Sequence, residues 1–338
     1  MIKKRMFRAA ALLLALTMIM AGFSGCLLSG LSPLTNAGIP ELPEDLVETG
    51  ESSVDPLFWV VTSEEYSGKV YLLGSMHACK KETFPLPEHI MTAYSEAESV
   101  AVECDTQNFE YDRVQQVNAN QYIIYSDGTR IKDHLSEEVY GGAVKRLTDL
   151  GLYSASYDIY KPILWTSLFD TYIVEQSGLS YDYSIDEYFM TKAKTDGKEL
   201  LEIESVEYQY EVMGGFSDEL QEMMLEDYLP EGAIEEQITL FGQLYDRWAS
   251  GDPTAASNEV SEEEWAEVPE EDKVCLEEYV GAMLENRNVR MTDAVESYIK
   301  RGMTVFMVVG TSHMVDKIGI VNSLRERGYT VTEHADRY

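Results

Sequence analysis

Val70-Tyr71-Leu72-Leu73-Gly74-Ser75-Met76-His77 joins a short apolar run to a histidine that follows directly behind it. The run is rich in β-forming residues, which predicts a buried strand. The strand ends in Gly-Ser-x-His, so we expect the His77 ring where a parallel strand stops and its loop begins. Ligands of open α/β sheets bind at this carboxyl edge. The stretch therefore predicts a central strand together with a residue of a binding or catalytic site.

The pattern recurs in residues 304–313, where a second apolar run ends in Gly-Thr-Ser-His and places His313. Each copy continues through a helix-like segment into another strand that ends in a glutamate, Glu103 in the first copy and Glu333 in the second. We interpret the copies as two βαβ half-units that each carry a G-x-x-H motif. One such motif alone usually marks a glycine turn and an ordinary loop histidine. Two copies in matching context, in a chain with five histidines, favour a shared site.

The length and composition fit a large globular body. The 338 residues can bury a substantial core, as one domain with an insertion or as two lobes, and the hydrophobic content of 45% argues against global disorder. About residues 108–300 are predicted to be mainly helical, with a short strand near 199–203. The acidic part of this segment, 215–275, is typical of solvated helix faces and carries no functional prediction. We therefore predict an α/β fold with a mixed central sheet and a large helical insertion.

The amino terminus has the features of a targeting signal. A basic segment precedes an apolar run at 9–21, and small residues stand before Cys26. This arrangement resembles the bacterial lipoprotein signal, in which removal of residues 1–25 leaves a lipid on Cys26; the alternatives are an ordinary secretory signal or an amino-terminal membrane anchor. Residues 26–54 contain scattered Gly and Pro and no periodic pattern, so we predict a flexible tether there, ahead of a domain at 55–338. We expect the mature body on the extracytoplasmic face of the cell membrane.

The charge balance argues against polyanionic partners. The chain has 26 basic and 60 acidic side chains, a net charge of −34. Removal of residues 1–25 would deepen this charge to −38, because it takes away the four cations Lys3, Lys4, Arg5 and Arg8. Such a surface repels nucleic acid and anionic lipid headgroups. It tolerates cationic partners or metal ions.

Besides the lipidated Cys26, three cysteines remain in the mature chain, an odd number for a protein outside the cytoplasm. Cys79 lies two residues past His77, and Cys104 directly follows Glu103, so the first half-unit could bring these two thiols together. A Cys79–Cys104 disulfide, thiolate ligation and ordinary buried thiols, Cys275 included, all remain open.

Several short motifs occur in a fixed order along the chain. Besides the two G-x-x-H stretches they are Phe84-Pro85-Leu86-Pro87, Val102-Glu103, Lys161-Pro162, Ser184-Ile185-Asp186, Ile203-Glu204-Ser205-Val206-Glu207 and Arg287-Asn288. In this order and spacing, over roughly residues 57–334, the chain resembles the TraB/PrgY/GumN family, whose animal relatives are the Tiki proteins. The acidic region 215–275 matches the family poorly.

The resemblance implies a fold and a site. It implies an α/β fold shared with the erythromycin-esterase-like and ChaN-like proteins, and one pocket lined by His77, His313 and Glu103, with Arg287 as a pocket cation. Tiki members are described as metal-dependent proteases. Plasmid-borne bacterial members are associated with shutting down peptide pheromone signals.

Two neutral imidazoles and a carboxylate form a plausible three-ligand metal set with an open position for water. This set suits Zn²⁺, Mn²⁺, Co²⁺ or Fe²⁺. Such a metal would lower the pKa of its water and polarise a carbonyl. Glu103 would be a ligand or the general base, and Arg287 would face a developing oxyanion or a substrate carboxylate.

Each of these residues also has a simpler interpretation. Glu103 and Arg287 could only pair with each other at the sheet edge. Asp105 could hold a histidine tautomer or be an ordinary turn residue, and Glu204 is expected to cap a helix rather than to act in catalysis. The remaining histidines, His89, His134 and His334, are expected to be structural.

The sequence therefore predicts a membrane-tethered, extracytoplasmic, metal-dependent hydrolase that acts on peptides. One alternative is a non-catalytic protein that binds and sequesters a secreted peptide, and another is a metal-free hydrolase with a histidine as general base. The predicted partners are a peptide or small-molecule substrate and the membrane, reached through the lipid on Cys26.

Overall fold

The structure is a computed structural model that describes residues 41–257 and 259–334. The predicted signal peptide 1–25 and the lipidation site Cys26 lie outside these residues, as does the first part of the predicted tether. From residue 41 to 54 the chain forms no helix or strand, and Leu42 and Leu46 pack against the hydrophobic core. No helix in the described ranges combines the length and the apolar character that crossing a membrane requires.

The described strands form one mixed six-stranded sheet. They are β1 Phe58–Thr62, β2 Lys69–Ser75, β3 Ser99–Val102, β4 Glu199–Glu202, β5 Thr304–Gly310 and β6 Thr330–Glu333. Their order across the sheet is β4-β3-β5-β2-β1-β6. Only β1 runs against its neighbours, β2 and β6, while β2, β3, β4 and β5 are mutually parallel.

Helices cover both faces of this sheet. The α-helices are α1 Glu88–Glu96, α2 Thr106–Tyr111, α3 Arg113–Ile123, α4 Glu137–Asp149, α5 Pro162–Gln176, α6 Ile185–Asp196, α7 Val206–Gly214, α8 Asp218–Glu226, α9 Ala233–Ala249, α10 Glu262–Glu267, α11 Glu270–Val280, α12 Asn286–Lys300, α13 Thr311–Met314 and α14 Ile320–Glu326. A π-helical turn, Gly281–Glu285, joins α11 to α12. The predicted α/β architecture is confirmed.

The central strands are apolar along their whole length because both of their faces are buried. In β2, Tyr71 and Leu73 belong to a core that includes α5 and α6. Val70 and Leu72, on the opposite face, belong to a second core that includes α12. This double burial explains why the strand has a continuous apolar run rather than an alternating one.

The two predicted half-units interleave in the sheet. The first is β2-α1-β3, and the second runs from β5 through α13 and α14 to β6. β5 lies between β2 and β3 and pairs with both strands. The strand ends that precede His77, Glu103 and His313 are therefore neighbours. β6 lies at the far edge of the sheet, where Glu333 is exposed, so the second glutamate does not join the first.

The helical insertion also contributes to the sheet and to its carboxyl edge. The predicted strand at 199–203 is present as β4, which pairs with β3. Pro162 is the first residue of α5, and Gly197, with φ +70°, closes α6 as its position after Asp196 predicted. Ser261 and Glu264 form the capping box expected from their spacing.

Candidate functional site

His77 follows β2, and an aspartate of α6 orients its ring. His77 Nδ1 lies 2.7 Å from Asp186 Oδ2. The other oxygen, Asp186 Oδ1, accepts a 2.8 Å hydrogen bond from Ser75 Oγ. Asp186 stands in the first turn of α6, which Ser184 caps. One carboxylate therefore fixes both the end of β2 and the orientation of the histidine ring, and it favours the tautomer with a proton on Nδ1.

His313 lies in α13, directly after β5, and its side chain is completely buried. His313 Nδ1 is 2.6 Å from Asn288 Oδ1. The Asn288 amide nitrogen donates to Ile318 O at 2.9 Å, so its oxygen is left to accept from the ring. The ring proton is consequently on Nδ1, and Nε2 carries the lone pair.

Glu103 follows β3 and is held from two sides. Its Oε1 accepts a 2.8 Å hydrogen bond from the backbone N–H of Gly310, the glycine of the second G-x-x-H motif. Its Oε2 accepts a 2.7 Å hydrogen bond from Arg287 Nη2, and Arg287 Nε donates to Glu204 Oε2 at 2.8 Å. Arg287 is 1% exposed. The ends of β3 and β4 thus hold one buried cation between two carboxylates.

The two G-x-x-H turns pack directly against each other. A Cβ at Gly74 would lie 2.8 Å from Thr311 Oγ1, a distance that real Cβ contacts do not reach. Thr311 Oγ1 also donates to Ser75 O at 2.9 Å. Glycine is required in the first motif because the second motif occupies the space of a side chain.

The Nε2 atoms of His77 and His313 are both buried, and neither has a hydrogen-bond partner among the residues that the structure describes. Each ring is held through Nδ1, by Asp186 or by Asn288, as metal-ligating histidines usually are. His313 Nε2 lies 3.9 Å from Glu103 Oε1. The donor types and the two unpartnered Nε2 atoms therefore suit a divalent metal ion.

The spacing of these donors is wider than a bound metal requires. Within residues 41–257 and 259–334, no three His, Cys, Asp or Glu side chains stand at metal-holding distances. Two ligands of a tetrahedral metal lie about 3.3 Å apart, so His313 and Glu103 would have to approach by roughly half an ångström. The fit rests on the chemistry of the donors and on the two unpartnered Nε2 atoms, and not on a closed ligand cage.

The electrostatics of the two histidines differ. Burial by itself lowers the pKa of His77, but the Asp186 and Glu103 carboxylates together raise it to about 9. Burial, with the positive charges of Arg287 and His77, lowers the pKa of His313 well below its usual value. On the other side of the site, the pKa values of both Arg287 and Glu103 are raised, so Arg287 stays charged and Glu103 becomes harder to ionise. Burial lowers the pKa of Arg287 but its two carboxylate partners raise it overall, and burial raises the pKa of Glu103 against the effect of Arg287.

A cavity of about 30 Å³ lies beside His77 at the carboxyl ends of β2 and β5. Its opposite wall is formed by Phe241, Leu244 and Trp248 of α9. Trp248 Nε1 donates to Gly74 O at 2.9 Å and holds the helix over the first motif. The acidic region 215–275, which we expected to be only a solvated face, therefore supplies one wall of the site.

The structure brings together the four residues predicted for the site, His77, His313, Glu103 and Arg287, although Arg287 faces two carboxylates of the protein itself. Asp105 does not orient a histidine. It caps α2 and pairs with Lys194 at 2.8 Å, as the turn interpretation predicted.

The other histidines lie away from these residues. His134 stacks on Tyr125, and the rings of His89 and His334 stack on each other with centroids 4.2 Å apart. The three cysteines Cys79, Cys104 and Cys275 are buried, and no disulfide joins any two of them, so the disulfide is excluded from the alternatives left open for Cys79 and Cys104.

The sequence analysis missed the groups that orient the site. Asp186 and Asn288 belong to the motifs Ser184-Ile185-Asp186 and Arg287-Asn288. Nothing in a single sequence, however, predicted that Asp186 contacts His77 or that Asn288 contacts His313. Glu204 was expected to cap a helix and instead pairs with Arg287. Nothing in the sequence indicated that Trp248 contacts the end of β2, because a tryptophan on an acidic amphipathic helix is usually an ordinary core residue.

Taken together, the fold and the site define an α/β protein with paired G-x-x-H turns at the carboxyl edge of a mixed sheet. The chain belongs to the TraB/PrgY/gumN family, whose family model matches residues 57–333. Neither a curated protein nor a solved structure matches this chain.

Proposed function

We propose that this protein is a metal-dependent hydrolase that acts on peptides outside the membrane. The observation that carries the proposal is the pair of buried Nε2 atoms of His77 and His313, each without a hydrogen-bond partner in the described part of the chain. Leaving two buried acceptors or donors unpaired is unfavourable. A metal ion that accepts the lone pair of His313 Nε2 and displaces the proton from His77 Nε2 would remove this penalty.

The protein's own groups prepare such a site in three ways. Asp186 and Asn288 hold the two rings so that both Nε2 atoms are available. The Gly310 N–H and Arg287 fix the Glu103 carboxylate, whose Oε1 would be the third ligand or the acceptor of a proton from water. A metal bound there supplies a water of lowered pKa and polarises a carbonyl oxygen. Arg287 acts in this arrangement by positioning Glu103.

The resemblance to proteases of the Tiki group supports a peptide as the substrate. The wall that α9 contributes is consistent with this, because Phe241, Leu244 and Trp248 present apolar surface beside His77. The cavity of about 30 Å³ admits water but no large side chain, since one water needs roughly 10–15 Å³. A peptide would therefore bind with some displacement of α9.

The proposal also places the protein on the extracytoplasmic face of the cell membrane, held by a lipid on Cys26. The small residues before Cys26 and the apolar run at 9–21 support it. Detergent partitioning of the full-length protein and of Cys26→Ala tests this part alone. We expect wild type in the detergent phase and the variant in the aqueous phase, whereas equal partitioning would contradict lipidation.

A metal-free hydrolase is the second candidate, and the 2.7 Å contact between His77 and Asp186 favours it, because an aspartate orients the histidine base of many hydrolases. Mass spectrometry of a peptide library separates the candidates. We expect cleavage by wild type, loss on chelation, recovery on return of the metal, and no cleavage by His77→Ala or His313→Ala. The control is His134→Ala, which should cleave like wild type.

Each other result has a clear meaning. Cleavage that survives exhaustive chelation would favour the metal-free mechanism. Peptides that bind but are recovered intact would favour sequestration. Equal cleavage by wild type and both site variants would rule out this site as the catalytic one.

A further inference from the structure

A second cavity, of about 430 Å³, lies near the first turn of α6 and shares no lining residue with the cavity beside His77. It is lined by α2, α5, α6 and residues 41–43 and 180–182. Five of its lining side chains are acidic and none is Lys or Arg; the acids are Glu41, Glu110, Glu175, Asp182 and Glu187. Its chemistry therefore selects for a positively charged ligand.

A buried amide gives independent support for a ligand there. Gln107 lines the cavity and is 5% exposed. Its Nε2 donates to Glu187 Oε2 and to Thr191 Oγ1, both at 2.8 Å, while its Oε1 has no partner within the described residues. The hydroxyl of Tyr181, also in the lining, is buried without a hydrogen-bond partner there as well. Both oxygens can accept from a ligand that carries N–H donors.

The carboxylates of the cavity are not neutralised from within. Glu187 accepts hydrogen bonds from the neutral groups Thr106 Oγ1 and Gln107 Nε2. Lys194, on the same helix, pairs with Asp105 at 2.8 Å. Reduced solvation raises the pKa of Glu187 and of Glu110 on the rim, and the charge of Glu187 raises the pKa of Glu110 further. A bound cation would relieve this repulsion.

We propose that this cavity binds an alkylammonium group, supplied either by a free polyamine or by a lysine side chain of a peptide. The acids and the two unpaired oxygens would receive the ammonium protons. Leu42, Val174 and the ring of Tyr188 line the same space and would pack on the methylene chain. The volume accommodates an extended chain of several methylenes rather than a bare ion.

Calorimetric titration of the full-length protein with 1,5-diaminopentane tests the proposal at physiological salt. The variant Glu110→Gln/Glu175→Gln removes two acids from the exposed rim of the cavity, where folding is not at risk. The matched control Glu64→Gln/Glu98→Gln removes two exposed acids elsewhere. We expect saturable binding of one diamine per chain by wild type and by the control. The rim variant should bind at least tenfold more weakly, since each charge-assisted contact contributes about a tenfold factor.

A second titration distinguishes the two sources of the ammonium group. It uses a blocked Ala-Lys-Ala peptide and the same peptide with norleucine in place of lysine. Rim-sensitive binding of the diamine, of the lysine peptide or of both supports the proposal and identifies the source. Three results would overturn it: no saturable binding of either probe, equal binding by wild type and the rim variant, or displacement of the diamine by equimolar Mg²⁺. None of these results depends on hydrolytic activity.

Discussion

Each histidine of the site contacts a neighbouring side chain through Nδ1, while its Nε2 has no hydrogen-bond partner among the residues that the structure describes. His77 is held by a carboxylate and His313 by a neutral amide, so the two rings differ in charge as well as in position. Burial strengthens the effect of the carboxylates on the rings, because little solvent screens the charges from one another. The orientation of both rings is a property of Asp186 and Asn288, and substitutions there should change metal binding without removing a ligand.

The Asp186→Asn substitution tests this positioning role. Asn keeps the size of the side chain and can still accept from Nδ1, but it removes the negative charge behind His77. We expect metal affinity, measured by calorimetry with Zn²⁺, to fall about 10- to 100-fold, as for other groups that orient a ligating histidine. Asp182→Asn, an exposed change close by, should leave the affinity unaltered. Equal affinities of wild type and Asp186→Asn would contradict the role.

Arg287 should matter more for stability than any surface arginine. Arg287→Ala leaves the buried carboxylates of Glu103 and Glu204 without their cation, which should cost about 3–5 kcal/mol of unfolding free energy. Arg327 also pairs with two acids, at 2.6 and 2.7 Å, but it is partly exposed. Arg327→Ala should therefore cost less than about 1 kcal/mol. Urea unfolding of both variants gives the comparison, and similar losses would contradict the account.

At the scale of elements, α9 connects the insertion to the site. The helix begins after Gly232 and ends before Gly251, and both glycines have positive φ, 79° and 66°. Trp248 fixes its last turn to the end of β2. The insertion is therefore part of the wall of the cavity beside His77. If the proposed peptide hydrolysis takes place there, side chains of α9 should set which peptides are accepted.

Leu244→Ala should widen the cavity beside His77. If peptides bind there, the kcat/KM ratio of bulky to small side chains should rise roughly tenfold, the usual value of one or two methylenes in an apolar pocket. Leu240→Ala, one turn earlier on α9 and outside the cavity lining, is the matched control and should leave the ratio unchanged. An unchanged ratio for Leu244→Ala would show that α9 does not contact the substrate.

The sequence was informative where local patterns determine structure. The apolar runs before His77 and His313, the proline at the start of α5 and the glycine after α6 all predicted elements that are present. Patterns of this kind depend on backbone conformation and on burial, which short stretches encode. The four site residues followed from the paired motifs and the family resemblance.

What the sequence did not predict depends on contacts between distant segments. Asp186 reaches His77 across more than one hundred positions, and Trp248 reaches Gly74 across 174. The sequence indicated that α9 has an acidic face towards solvent. It did not indicate which part of the protein the apolar face of α9 packs against. The state of Cys79 and Cys104 stayed open in the sequence for the same reason, because proximity along the first half-unit does not show whether two thiols form a bond.

At the scale of the whole molecule, a buried carboxyl group outside the site makes the stability of the protein depend on pH. Asp170 on α5 is 1% exposed and accepts a 2.6 Å hydrogen bond from Tyr228. Its Oδ2 has no hydrogen-bond partner among the described residues. Burial raises the pKa of Asp170 to about 7, although the bond from Tyr228 opposes the shift. Between about pH 4 and pH 7, Asp170 is therefore protonated in the folded protein but ionised in the unfolded chain.

This linkage predicts a pH dependence of stability. The unfolded chain loses the Asp170 proton near pH 4, while the folded state keeps it until about pH 7, so this group makes the protein less stable as pH rises through that window. Asp170→Asn removes the effect. The stability of Asp170→Asn relative to wild type, from urea midpoints, should therefore increase between pH 5 and pH 8 by a few kcal/mol, as roughly 1.4 kcal/mol per pKa unit implies.

The matched control for this prediction is Asp182→Asn, which changes an exposed acid. Its stability relative to wild type should stay constant over the same pH range. A constant difference for Asp170→Asn as well would contradict the buried, protonated state of this carboxyl group.

The metal content of the purified protein is the most direct test of the paired-histidine site. Elemental analysis after saturation with Zn²⁺ or Mn²⁺ and removal of free metal should give one tightly bound ion per chain for wild type and for the control His134→Ala. His77→Ala and His313→Ala should each retain almost none. Equal metal content in all four proteins, or no metal in any of them, would contradict the account.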